Sequence, residues 1–333
     1  MSFNQFILKE QYEKVKGLGD RLELMKEQIA WEPFVPLVSQ IFHDNEKEVG
    51  RPHTDELIII RSMLLQGWYG LSDPELEFQC HDRLSFRNFL GFPEIIPDFT
   101  TIWKIRDKLK EKGIDDEIWS ELQRQLDEKG YKIKKGVIQD AAFIESDLGR
   151  KRYYKEKQAK KKREAVKYTE KQKQHIDKDA SFSVKHGQVH YGYKNHIKLD
   201  VDNHLIRELK VTTASLHDGE IDLVEKGDKI AYRDKGYFGK KLKAGNVEDM
   251  TMKRGTRAGK LNGGEQKRNK MISRIRAPGE RPFGVIKRVF NGERTLVKTL
   301  ERVRIKEVFK CFAFDLYQLV TLERKKLAIA INN

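Results

Sequence analysis

The chain has 333 residues, enough for two or three subdomains with a sizeable buried core, and its 38% hydrophobic content is that of a folded protein. Its 66 Lys and Arg against 51 Asp and Glu leave a formal charge of +15, so polyanions (DNA, RNA or anionic membrane surfaces) are the expected partners, because Lys and Arg neutralise phosphates and release condensed counterions. Cys80 and Cys311 stand alone, which excludes a disulfide framework or zinc ribbon and leaves packing as their role.

The N-terminus lacks the charged and apolar regions of a signal peptide. The apolar stretch around Leu57–Leu65 is interrupted by Arg61 and is too short to span a bilayer. A cytoplasmic or nucleoid-associated protein with no membrane partner is therefore expected. Residues 1–135 read as helical. Apolar residues spaced by three and four predict one amphipathic helix over Phe3–Met25 and another over Glu56–Trp68. Leu71-Ser72-Asp73-Pro74-Glu75 is a helix start, with a capping side chain, proline in the first turn and an acid near the positive dipole end. Asp98-Phe-Thr-Thr101 precedes a further helix, Ile102–Lys110, that ends near Gly113. Three short helices over 72–112 fit a helix-turn-helix unit whose last helix enters a groove. They also fit a small bundle in which Lys104, Arg106, Lys108 and Lys110 are solvated. Trp31, Trp68, Trp103 and Trp119 lie in this region, where core packing is the ordinary role of the ring and base stacking the rarer one.

Beyond 135 the texture changes to strands. Gly136–Ile144, Tyr191–Asp200 and His204–Ala214 carry alternating or β-branched apolar residues, with a turn at Asp202-Asn203. His217-Asp218-Gly219-Glu220 leads into a helix-like stretch to about Lys226, then a strand over Lys229–Arg233 and a helix-rich C-terminal part. This is a mixed α/β order. Arg150–Lys173 holds 12 Lys and Arg against 3 Glu, too charged to pack a core. It reads as a solvated helix or mobile loop, or as a phosphate-tracking arm. A second basic stretch, Lys253–Arg276, is made loop-like by Gly255, Gly259, Gly263 and Gly264.

Three carboxylates stand out against this basic background. Asp140 and Asp234 follow apolar strand-like runs, and Glu280 opens Glu-Arg-Pro-Phe-Gly-Val-Ile-Lys287. Phosphodiester cleavage is helped by two divalent ions about 3.5–4 Å apart, and Mg²⁺ prefers hard oxygen ligands converging from distant parts of a chain. Asp140 and Asp234 meet if their strands are neighbours, with Glu280 brought in by a helix. Asp218 is the main rival for a metal, with helix capping the more ordinary role. His186, His190, His196, His204 and His217 match no zinc spacing and read as surface or core residues.

These motifs, in this order, resemble the DDE transposases of the insertion-sequence 4 and 5 group. The group's C-terminal signature is tyrosine, two residues, arginine, three residues, glutamate, six residues, lysine. Arg276, Glu280 and Lys287 fall at those positions, and Ser273 stands in place of the tyrosine. Gly70–Glu77, Asp82–Gly91 and Pro97–Ile102 resemble its N-terminal domain. Tyr191-Gly-Tyr-Lys-Asn-His196, Val211–Ala214 with His217-Asp218, and Asp234-Lys-Gly-Tyr237 resemble its catalytic core, so the likeness runs from about 50 to 320.

The resemblance implies a ribonuclease-H-like mixed sheet flanked by helices and preceded by an all-helical N-terminal domain. Residues 1–135 would bind DNA or dimerise, and residues 136–325 would form the catalytic domain, with basic insertions at about 150–180 and 253–276. It makes Asp140, Asp234 and Glu280 the catalytic ligands of two Mg²⁺ ions, for which Mn²⁺ can substitute. Arg276, Lys287, Lys235, Lys160, Lys161, Lys162 and Arg163 become DNA-binding residues. Arg276 and Lys287 lie four before and seven after Glu280, on one face of a continuous helix, although Pro278 and Pro282 favour a helix start or bend near Glu280. The implied partner is double-stranded DNA, both the element's terminal inverted repeats and the target, held by a homodimer. The alternatives are a metal nuclease that cuts without joining, and a transposase-derived protein that binds DNA without catalysis.

Overall fold

A helix with no outer face organises the N-terminal half. The computed structural model describes residues 3–42, 53–148, 155, 157–159, 161–162, 166–185, 187–255 and 259–331. The helices of this half are α1 (Phe3–Gly17), α2 (Arg21–Lys26), α3 (Val35–Ser39), α4 (Glu56–Tyr69), α5 (Asp73–Asp82), α6 (Leu84–Leu90), α7 (Phe99–Glu111) and α8 (Ile114–Glu128). The single helix expected over Phe3–Met25 is in fact two. Gly19 takes a left-handed φ of 85°, and the Asp20 carboxylate accepts from the Leu22 amide at 3.0 Å, starting a new helix.

In α4 every residue from Ile59 to Trp68 is buried, so the expected amphipathic helix is a central one. The α3 and α6 helices and the long C-terminal helix, α12 (Leu300–Ile331), pack around it. Each fully buried Ile or Leu there contributes about 2 kcal/mol. Arg61 is accommodated because its guanidinium lies 4.8 Å from the Trp31 ring centroid. Gly70 ends the helix at φ 62°, and a Cβ there would meet the Phe290 carbonyl oxygen at 2.5 Å. Only glycine meets both conditions.

Ser72 caps α5 and Asp98 caps α7, as their sequences require. The reading that leaves four cations of α7 solvated fails at Arg106. Its side chain is 2% exposed and forms a bidentate pair with Asp73 at 2.6 and 2.7 Å, clamping α7 to the start of α5. Lys110 is paired with Glu301, while Lys104 and Lys108 are exposed. Trp31, Trp68 and Trp119 are core residues, and Trp103 is 42% exposed.

The sheet strands are β1 (Val137–Glu145), β2 (Ser181–Lys185), β3 (Gln188–Asp200), β4 (Ile206–Thr213), β5 (Ile230–Arg233) and β6 (Glu248–Thr251). Their order is β2-β3-β1-β5-β6, with β4 also paired to β3. β1 is antiparallel to β3 and parallel to β5, and β5 is parallel to β6. This is the ribonuclease-H-like mixed sheet with flanking helices. Strands β2 and β6 were not foreseen, and the helix-like stretch to Lys226 reduces to one 3-10 turn, Asp218–Glu220. In that stretch Gln139 takes over the loop backbone, donating to the Ile221 carbonyl at 2.7 Å and accepting from the Leu223 amide.

Between β1 and β2, helix α9 (Glu170–Gln174) starts from a capping box at Thr169. After β6 come α10 (Gly263–Arg276) and α11 (Glu280–Arg288). One hydrophobic cluster joins the N-terminal helices to the sheet, from Leu22 through Ile138, Ile197 and Leu199 to Leu319. The α12 helix is the bridge, buried from Ile305 to Leu316, and its Asp315 accepts from the Ile206 amide at 2.8 Å. Among the described residues no helix is long and apolar enough to cross a membrane.

Burial alone would raise the Asp73 pKa, but the Arg106 guanidinium holds it below the ordinary carboxylate range. Asp73→Asn leaves Arg106 charged, buried and short of a partner. It is expected to cost about 3 kcal/mol of stability, measured as a fall in the urea midpoint.

Candidate active site

The register of two strands places two carboxylates together. β1 and β5 pair in parallel with Val137 opposite Ala231, Ile138 opposite Tyr232 and Gln139 opposite Arg233, and the next residues are Asp140 and Asp234. There β5 stops and β1 continues, paired to β3 and, at Glu145, bridged in parallel to Arg294. Asp234 ends the strand by capping a 3-10 turn, Lys235–Tyr237, its Oδ1 accepting from the Gly236 amide at 2.6 Å. A Cβ at Gly236 would stand 2.8 Å from that oxygen. The glycine of Asp-Lys-Gly-Tyr is thus the residue that lets the carboxylate fold back on the turn.

The third carboxylate arrives from across the sheet. Arg276 ends α10, a 3-10 turn spans Ala277–Gly279, and Glu280 is the first residue of α11. The prolines fit this break, Pro278 in the turn and Pro282 in the first turn of α11. The continuous helical face expected for Arg276, Glu280 and Lys287 is therefore replaced by two helices. Gly279 makes the junction tight, since a Cβ there would meet Ile138 Cγ2 at 2.8 Å. The break thus packs directly on the strand that carries Asp140.

Asp140, Asp234, Glu280, Arg276 and Lys287 line one open cleft of about 510 Å³, with Lys185, Arg288 and Glu293. Asp140 accepts from the Ala141 amide at 2.9 Å and from Arg276 Nη2 at 2.9 Å. Burial pushes its carboxyl up to about 6, against the pull of the Arg276 charge and the Ala141 amide, and the Asp234 charge adds to the rise. Behind them the buried Tyr237 hydroxyl is pushed well above its ordinary range, by burial first and then by Asp140, Asp218 and Asp234.

The donors at this cleft are hard carboxylate oxygens, the set that Mg²⁺ and Mn²⁺ prefer. The Arg276 guanidinium bound to Asp140 shows that the position accommodates a cation. Among the described residues no three His, Cys, Asp or Glu stand close enough to hold a metal together. Glu280 is exposed at the cleft.

Other expected residues lie elsewhere. Lys235 is exposed on the Asp234 turn, Lys161 and Lys162 are exposed on the arm, and Lys160 and Arg163 lie outside the described residues. Asp218 is not the expected helix cap. His217 Nδ1 accepts from the Gly219 amide, and Asp218 accepts from the buried Lys194 ammonium at 2.7 Å, because that cation needs a counter-charge. The histidines are dispersed: His190 stacks on Phe143 with centroids 4.0 Å apart, and His196 bonds Thr212 at 2.8 Å. His186 lies outside the described residues. Lys185, Arg288 and Glu293 were missed at this cleft. The alternation Ser-Phe-Ser-Val-Lys185 before Gly187 was the available signal for Lys185, as the first arm of a hairpin.

Two protein families match the chain: a transposase domain (DUF772) over residues 9–108, and a transposase DDE domain over residues 157–316. The second match contains Asp234 and Glu280 and begins after Asp140. No solved structure matches the chain.

Burial pulls the His196 pKa from 6.5 down to about 4. With the folded value below the unfolded one, the stability His196 contributes is complete above pH 6.5 and is lost as pH falls toward 4. His196→Gln is expected to flatten that part of the stability profile, measured by urea unfolding across the interval.

Proposed function

We propose that this chain, whose residues 9–108 and 157–316 match two transposase domain families, cuts DNA at the ends of its own insertion sequence and joins the freed 3′-hydroxyls to target DNA. The observation that carries the reading is the adjacency of Asp140 and Asp234 at the end of the β1–β5 pair, in one cleft with Glu280 and a cationic rim. We assign the chain to the insertion-sequence 4 and 5 group on the Arg276, Glu280, Lys287 spacing, despite Ser273.

Asp140, Asp234 and Glu280 would hold two Mg²⁺ ions, or Mn²⁺ in their place. When bound, such ions favour deprotonation of the attacking oxygen and neutralise the leaving one. The protein's own residues do the rest. Arg276, Lys287 and Arg288 hold phosphate oxygens beside the carboxylates, and the N-terminus of α11 adds its positive end. A DNA phosphate offers Arg276 a second anionic partner, which frees Asp140 for a metal.

The reaction has two steps. Water attacks the phosphorus at the element's end, the P–O3′ bond breaks, and the element keeps a 3′-hydroxyl. That hydroxyl then attacks a target phosphodiester, forming a new P–O3′ bond while the target's own 3′-oxygen leaves as a hydroxyl. Residues 1–135 would recognise the terminal repeats and pair two ends in a homodimer. The basic arm around Lys160, Lys161, Lys162 and Arg163, with Lys235, would track the backbone, and the protein would associate with the nucleoid.

Asp140→Asn, Asp234→Asn and Glu280→Gln are each expected to lower end cleavage in Mg²⁺ by on the order of 10³-fold, since each removes a preorganised electrostatic partner. DNA binding should persist in all three, and full activity in any one would remove that residue from the site. Gly236→Ala is a subtler probe. Its Cβ displaces the Asp234 carboxylate without altering the strand, so cleavage should fall about 10-fold while the thermal midpoint holds.

A further inference from the structure

We infer that Lys185 is a DNA-phosphate-binding residue of the cleft, supplied by the β2–β3 hairpin from the wall facing α10 and α11. The inference rests on the proposed DNA-cleaving function and adds a residue to it. Three observations carry it. Lys185 lines the same cleft as the three carboxylates, and its charge acts on Asp140. The other cations lining that cleft, Arg276, Lys287 and Arg288, all come from α10 and α11, so among the described residues Lys185 alone represents the hairpin side.

Its charge is also unspent. Among the described residues Lys185 has no ion pair, and its ammonium lies 6.0 Å from the Phe143 ring centroid. Lys194, nearer the same ring at 5.1 Å, is instead buried and neutralised by Asp218. The two lysines divide the roles of structural counter-ion and available cation.

The hairpin is braced where it must hold a ligand. Five residue pairs register β2 against β3, from Ser181–Gly192 to Lys185–Gln188. On the β3 side His190 stacks on Phe143 at an interplanar angle of 6° and bonds the Glu145 carboxylate at 2.6 Å. Phe143 and Glu145 belong to the strand that carries Asp140, so Lys185 is referenced to that carboxylate through packed side chains. A phosphodiester lying over Asp140 would then be held from both walls, by Arg276 and Lys287 on one and Lys185 on the other. Holding the strand on both sides fixes the scissile phosphorus laterally, which a single cationic wall does not.

The test is DNA binding by the full chain in EDTA, using a fluorescein-labelled duplex titrated at several salt concentrations, with wild type, Lys185→Gln and Lys185→Arg. Loss of one phosphate contact lowers the slope of log K against log salt by about 0.9. Lys185→Gln should show that reduced slope and weaker binding, with an unchanged thermal midpoint, and Lys185→Arg should restore both. A Lys185→Gln chain that matches wild type in affinity and slope overturns the role of Lys185 alone. Wild-type chain that binds no duplex overturns the proposed function as well.

Discussion

The parallel pairing of β1 with β5 is the constraint on which the site depends. Three backbone pairs suffice, because the register that sets Gln139 beside Arg233 leaves Asp140 and Asp234 as the next residues on adjacent strands. A one-residue slip would turn every side chain of one strand to the other face of the sheet. The register is held by burial. Ile138 and Val137 are fully buried on opposite faces, one in the main core and the other against Val224 and Ala244. Two like charges are therefore forced together by apolar packing rather than by any attraction between them.

That enforced proximity explains the cations around it. Asp140 is partly desolvated and faces Asp234, so its carboxyl rises to about 6, and Arg276 is the group that offsets this. The arginine can reach it because Gly279 lets the α10–α11 junction rest on Ile138. Charge on the basic rim and the acidic pair are thus complementary parts of one arrangement, and a nucleic-acid phosphate is a partner that the rim attracts and the pair alone would repel.

Away from the cleft the same molecule uses ion pairs to hold layers together. Arg106 with Asp73 joins α7 to α5, Arg302 with Asp107 joins α12 to α7, and Lys194 with Asp218 joins the sheet to the loop beneath it. The α12 helix touches both the N-terminal helices and β4, so the helical half and the sheet share one core. Elements that bring Glu280 and Asp140 to a common cleft are in this way tied to a frame that spans most of the chain.

Local chemistry was legible in the sequence. Helix starts at Ser72 and Asp98 and the strand carrying Asp140 follow from capping side chains and β-branched alternation. The break at Glu280 was signalled by Pro278 and Pro282, and the three carboxylates singled out by their setting in basic sequence line one cleft. What burial decides was not legible. Periodicity cannot tell a half-buried helix from one packed on all sides, so α4 read as amphipathic. Nor can composition tell an exposed cation from a buried one, so Arg106 read as solvated and Asp218 as a cap until their partners were in view. Lys185 belongs to the cleft only because strand β2 folds back against β3, a pairing between neighbours in space that the chain's own order does not specify.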